Sequence, residues 1–145
     1  MPAEWRLNGY LISTDFTRLN IETIYSFLSQ RSYWAQERSR EIVEKSLANS
    51  LNFGVFKGEY EQQVGFARVV TDYATFGWVA DVFILEEFRG GGLGKWLMET
   101  IVAYPDLHNI RRLLLATRDA QGLYSQYGFK PIPNPDRCML RVPEA

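Results

Sequence analysis

The chain has 145 residues, of which 46% are hydrophobic and 23% charged, and a formal net charge of −1. This is the make-up of one globular domain with enough apolar mass for a core. It offers no global basic field for nucleic acid, and no window has the run of roughly 18 apolar residues that a membrane span needs.

The opening MPAEWRLNGY lacks the basic start and apolar run of a signal peptide. Cys138 is the one cysteine, so no internal disulfide can form, which fits a reducing cytoplasm. A single histidine beside it leaves a zinc site short of ligands unless carboxylates supply most of them, so no metal is expected. GYLIST, ending at Thr14, is short and apolar-rich and predicts a first strand. From Asn20 the period changes: Ile21, Ile24, Tyr25, Phe27 and Leu28 recur at helical spacing, with Asn20 placed as the cap. RSYWAQERSR reads as a mixed aromatic and charged connection. Ser39 caps a second predicted helix, with Ile42, Val43 and Leu47 as its buried stripe and Glu41, Glu44 and Lys45 facing water.

After Ser50 the pattern is that of strands. LNFGVFKG and QVGFARVVTD form a hairpin through KGEYEQ, and TDYATFG is a turn or loop. WVADVFIL, the fourth strand, is apolar on both faces except at Asp81, which predicts a strand in the middle of a sheet. The glycine stretch FRGGGLGKW then leads into a helix with Leu93, Trp96, Leu97, Ile101 and Val102 on one side, which Pro105 stops. RRLLLAT is the fifth strand, Asp119 stands where it would cap a short helix AQGLYSQ, YGFKPI turns out of it, and CMLRV predicts a last strand. The order is mixed α/β, with antiparallel hairpins first and a strand-helix-strand crossover later.

Gly90, Gly91, Gly92 and Gly94 crowd the mouth of a helix. The first N–H groups of a helix have no internal partner and carry partial positive charge. Glycines let an anion approach that backbone, and Arg89 and Lys95 add full charges at its edge. The residues therefore point to phosphate. The Walker spacing fails, because counting back from Gly94 lands on Arg89 and Trp96 follows Lys95 where Ser or Thr is required. The dinucleotide spacing G-x-G-x-x-G fails as well, since it would need glycine at Lys95 or Leu97. What remains is Arg89-Gly90-Gly91-Gly92-Leu93-Gly94, a match to [Q/R]-x-x-G-x-[G/A].

With that loop, DVFILEEFRGGGLGKWLM before and around it, and AQGLYSQYGF later, the chain resembles the GNAT superfamily of N-acetyltransferases. The resemblance covers most of the chain and implies a single domain over residues 1–145. Its central mixed sheet would have six to seven strands, flanked by about four helices and splayed between the fourth and fifth strands. It implies acetyl-CoA as cosubstrate. The pyrophosphate would lie on backbone from Gly90 through Gly91, Gly92, Leu93 and Gly94 to Lys95, with Arg89 at the edge. The pantetheine arm would lie along the fourth strand at Val82 and Ile84, and an amine would attack the thioester directly. Val82 N–H is the implied oxyanion donor and Tyr124, four residues before Gly128, the implied acid for the leaving thiolate.

A carboxylate in an apolar strand is paired or functional, so Asp81 stands as candidate base or as the partner of an ion pair, for example with Arg68. Asp72 is the weaker candidate base. Trp78 stands where some members, notably histone-modifying ones, carry a glutamate, a departure that argues against a histone-type mechanism. His108 and Tyr127 read as surface and packing. Tyr33, Trp34 and Arg38 lie where the family grips its acceptor, and suit a small amine bearing a carboxylate or an apolar group, or a protein N-terminus. Asp81 and Asp72 equally suit a cationic amine such as a polyamine, and the sequence does not decide among these. It also leaves open a CoA-binding sensor or regulatory module without turnover, a longer acyl group, and a homodimer. No nucleic-acid or membrane partner is expected.

Overall fold

The computed structural model describes residues 1–144. Asn8 and Gly9 both take positive φ, 51° and 83°, the mirror-image two-residue turn whose twist matches paired strands. They join β1 (Glu4–Leu7) to β2 (Tyr10–Ser13). The hairpin adds a strand ahead of GYLIST that the sequence reading passes over, although Asn-Gly is its signal.

Helix α1 (Ile21–Ser26) starts at Asn20, whose side chain accepts from Thr23 N–H at 3.0 Å. It widens into a π-type turn over Phe27–Arg31 and stops at Ser32. Helix α2 (Arg40–Ala48) is capped by Ser39, which accepts from Ile42 N–H. Val43 and Leu47 are buried, but Ile42 is exposed rather than part of the stripe, because one residue along a helix turns the side chain about 100° from its neighbour.

Strands β3 (Leu51–Lys57), β4 (Gln62–Thr71) and β5 (Gly77–Ile84) follow. Then come α3 (Leu93–Ala103), β6 (Leu113–Leu115) and α4 (Gln121–Ser125). The six strands lie in the order β1-β2-β3-β4-β5-β6, antiparallel except for the parallel pair β5 and β6, which α3 connects. Ile12, Phe53, Val55, Val69, Leu97 and Ile101 fill the core on the α3 face. Ile24, Phe27, Val43, Leu47, Phe66 and Phe83 fill it on the α1 and α2 face.

Three further expectations are corrected. Strand β5 is not central: only the three residues of β6 lie beyond it, and its Trp78 is exposed. Asp119 does not cap α4; Ala120 stands at the cap without a side-chain bond, and Ala120 N–H donates instead to Thr117 Oγ1. CMLRV forms no strand. Met139 is 97% exposed and Leu140 88%. A strand needs a ladder partner as well as β-forming residues, and the described residues supply none for this segment.

Candidate active site

The parallel ladder runs Gly77↔Leu113, Trp78↔Leu114, Val79↔Leu115 and then ends. Strand β5 continues to Ile84 without β6 beside it, so the sheet parts here, between the fourth and fifth strands of the sequence reading. Val82 and Ile84 lie on this bare half of β5. A groove of about 1120 Å³ flanks β6 and α4, lined among others by Leu115, Thr117, Tyr124 and Phe129.

Past β5 the chain makes one turn over Glu86–Phe88. Arg89 folds back so that its Nε donates to the Ile84 carbonyl at 2.8 Å, tying the loop to the strand end. Gly90 and Gly92 have φ of 89° and 86°, a region that side chains strain to adopt. Gly92 is the N-cap of α3 with no side-chain cap bond, and the first recorded turn bond runs from Trp96 N–H to Gly92 C=O. The N–H groups of Leu93, Gly94 and Lys95 thus stand at the positive end of the helix, where an anion is favoured. A Cβ built on Gly90, Gly91 or Gly92 would meet nothing within 4 Å. Internal packing therefore does not require these glycines, and the space above them fits a phosphate group. The Leu93 side chain is in the core, so only its backbone faces the turn, while Lys95 is exposed.

Opposite Ala67 on β4 stand two residues of β5, Asp81 and Val82, because the register shifts between Phe66↔Phe83 and Arg68↔Ala80. Such a bulge re-aims side chains. Asp81 takes φ 55°, and its side chain is 2% exposed. Oδ2 accepts from Arg68 Nε at 2.6 Å and from Arg38 Nη1 at 2.9 Å, and Oδ1 accepts from Trp34 Nε1 at 2.8 Å. Burial pushes the carboxyl pKa up, but Arg68, then Arg38 and Trp34, outweigh it and hold the group below its ordinary value. Of the two roles that the sequence leaves to Asp81, the side chain makes the ion pair with Arg68, and adds Arg38. Asp72 is likewise engaged: Oδ1 accepts from the N–H groups of Ala74, Thr75 and Phe76, and Oδ2 from Thr75 Oγ1. These bonds hold its carboxyl far below the usual range.

The connection between α1 and α2 reaches across the parting of the sheet. Trp34 and Arg38 bind β5 through Asp81. Tyr33 binds the segment after β6: its hydroxyl accepts from Arg118 N–H at 2.9 Å, and the Arg118 guanidinium lies 3.9 Å over its ring. Arg118 escapes the sequence reading, for nothing local marks it. Tyr124 lies in α4, half-buried against the core and set edge-on to Phe129. Burial, then Tyr33 and Asp119, raise its phenol pKa. His108 is exposed and Tyr127 packs on the core, as read from sequence. Tyr124 lines the groove beside β6, while the glycine turn follows the bare end of β5 and the loop of Tyr33, Trp34 and Arg38 contacts both β5 and the chain after β6.

The sequence pattern of the family described as "Acetyltransferase (GNAT) domain" matches residues 49–131. A candidate acetyltransferase of Gibberella zeae is 32% identical over 143 residues, spanning 86% of this chain and 81% of that protein. The crystal structure of a candidate GNAT-family acetyltransferase from Xanthomonas campestris pv. campestris is 44% identical, covers 94% of this chain and 95% of its own, and superposes with a TM-score of 0.89. An acetyltransferase from Clostridium acetobutylicum, solved with acetyl-CoA, shares the fold: TM-score 0.63 at 17% identity, over 99% of this chain and 96% of that one.

Proposed function

The chain belongs to the GNAT acetyltransferase family, and on that premise we propose that it moves an acetyl group from acetyl-CoA to the primary amine of a small molecule or amino acid by direct attack. The observation that carries this is the open glycine cradle of Gly90, Gly91 and Gly92 after the half of β5 whose outer edge β6 leaves unpaired. When bound, acetyl-CoA supplies an activated acetyl thioester. The backbone from Gly90 to Lys95 would hold its pyrophosphate, and Val82 and Ile84 its pantetheine arm.

In this reading the N–H of Val82, the second of the two bulged residues, donates to the carbonyl oxygen as charge develops there. The amine nitrogen bonds to the acetyl carbon and the C–S bond breaks. Tyr124 gives its proton to the departing sulfur, and solvent takes the proton that the amine sheds. A thiolate needs little help to leave, so a phenol held in its protonated form suffices. Asp81 does not serve as the base. Its carboxylate, bonded by two guanidiniums and an indole, binds a proton weakly, and its role is to fix the acceptor loop to β5. The exposed apolar tail around Met139 and Leu140 supports a homodimer in which a second copy covers it.

Thermal melts with acetyl-CoA, CoA and ATP side by side, followed by thiol release across an amine library, test the proposal. Stabilisation by acetyl-CoA and CoA but not ATP, with thiol release on adding an amine, is expected. Stabilisation without turnover on any amine would favour a CoA-binding sensor. No stabilisation by either CoA form would sink the proposal.

A further inference from the structure

Two carboxylates in this region offer themselves to a cationic acceptor in the sequence, and in the folded chain neither is open. Asp72 is saturated by its own loop. Asp81 is closed off by Trp34, Arg38 and Arg68. One negative charge thus faces two fixed positive charges. The side chains concerned are 2% exposed for Asp81, 15% for Arg68 and 21% for Arg38. Arg68 also donates from Nη1 to the neutral Ser50 Oγ at 3.1 Å. An excess positive charge so far out of water is costly unless an anion joins it.

The way in is through Arg38. Among the described residues its only side-chain hydrogen bond is the one to Asp81 from Nη1, which leaves the rest of a flat five-donor fork unengaged. Its backbone is held, because Ser29 Oγ donates to the Arg38 carbonyl at 2.8 Å. Trp34 and Tyr33 meet edge to face at 5.1 Å beside it and are both partly open to solvent. Arg118 lies over the Tyr33 ring but is paired with Asp119 Oδ2 at 3.6 Å, so the uncompensated charge of this wall is that of Arg38 and Arg68. Asp81, which holds Arg38, is also the residue before Val82, the proposed oxyanion donor. Resting on the acetyltransferase reading, we infer that the acceptor is an anionic amine, a carboxylate carried a few bonds from the reacting nitrogen, and that Arg38 reads that carboxylate.

The test uses matched acceptors: free amino acids, their carboxamides (which also mimic a peptide N-terminus), the decarboxylated amines, and a polyamine. Thiol release measures kcat/KM in saturating acetyl-CoA. Calorimetric titration of N-acetyl amino acids and their amides into the CoA-bound protein measures binding without turnover. The carboxylate form should win by about thirtyfold in both, the scale of a charge-assisted bidentate contact. Arg38→Gln should bring that ratio close to one and still fold, because Asp81 keeps Arg68 and Trp34. A carboxamide, plain amine or polyamine that does as well as the carboxylate overturns the inference. So does a carboxylate preference that survives Arg38→Gln, or acetyl-CoA binding with no carboxylate acceptor bound or used. If acetyl-CoA itself fails to stabilise the protein, the transferase reading falls first and takes this one with it.

Discussion

The phenol of Tyr124 is pushed above the ordinary tyrosine range by burial first and then by Tyr33 and Asp119, so it stays protonated through neutral pH. An attacking amine must be neutral, so kcat/KM should rise with pH through the acceptor's own pKa. It should show no falling limb below about pH 10, where an unshifted tyrosine would begin to lose its proton. Tyr124→Phe should lower kcat by about a hundredfold, leaving the dissociation constant of acetyl-CoA unchanged. Asp81 makes the opposite kind of prediction. Replacing it with Asn leaves Arg68 and Arg38 without their counter-charge, at a cost of about 3–5 kcal/mol measurable by urea unfolding at neutral pH. Its folded-state pKa is depressed, so its contribution is complete above the unfolded value of about 4 and is lost as pH falls through the folded one. Asp81→Asn should therefore lose less stability than the native chain below pH 4.

At the scale of elements, the turn into α3 separates two uses of glycine. Gly92 needs its positive φ, while Gly91 has no such constraint and a Cβ there meets nothing within 4 Å. Gly92→Ala should cost about 1 kcal/mol or more in stability. Gly91→Ala should leave the melting temperature unchanged and still weaken acetyl-CoA binding about tenfold, because the added methyl would lie in the space that the proposed reading gives to the pyrophosphate. The loop's backbone geometry was legible from contiguous residues, since a glycine run at a helix mouth is a local statement. The corrections at this scale have non-local causes. Ile42 faces water because α2 docks on the side of Val43 and Leu47, and β5 lies next to the edge because, among the described residues, no strand pairs beyond β6.

For the whole molecule, the connection between α1 and α2 braces the sheet where it parts. Trp34 and Arg38 hold β5, and Tyr33 holds the chain beyond β6. A ligand entering the parting touches both sides and should stabilise the whole fold. At a hundredfold excess over its dissociation constant, acetyl-CoA should add about 2.7 kcal/mol, readable as a raised midpoint in thermal or urea melts. The apolar tail belongs to this scale too. Light scattering should give twice the 16.8 kDa chain mass, and Met139→Asp with Leu140→Asp should return the monomer.

The sequence by itself determined the family, the order of most elements, and the glycine turn at the mouth of α3. Helix caps, strand runs and glycine-rich turns are set by neighbours within a few residues, so they are readable in order along the chain. Tertiary structure alone decided what Asp81 does, for its partners Arg68 and Arg38 lie 13 and 43 residues away, and a charge takes its character from what folding brings beside it. It also decided that CMLRV would have no strand to pair with, and that Arg118 would come to rest on Tyr33, 85 residues from it along the chain.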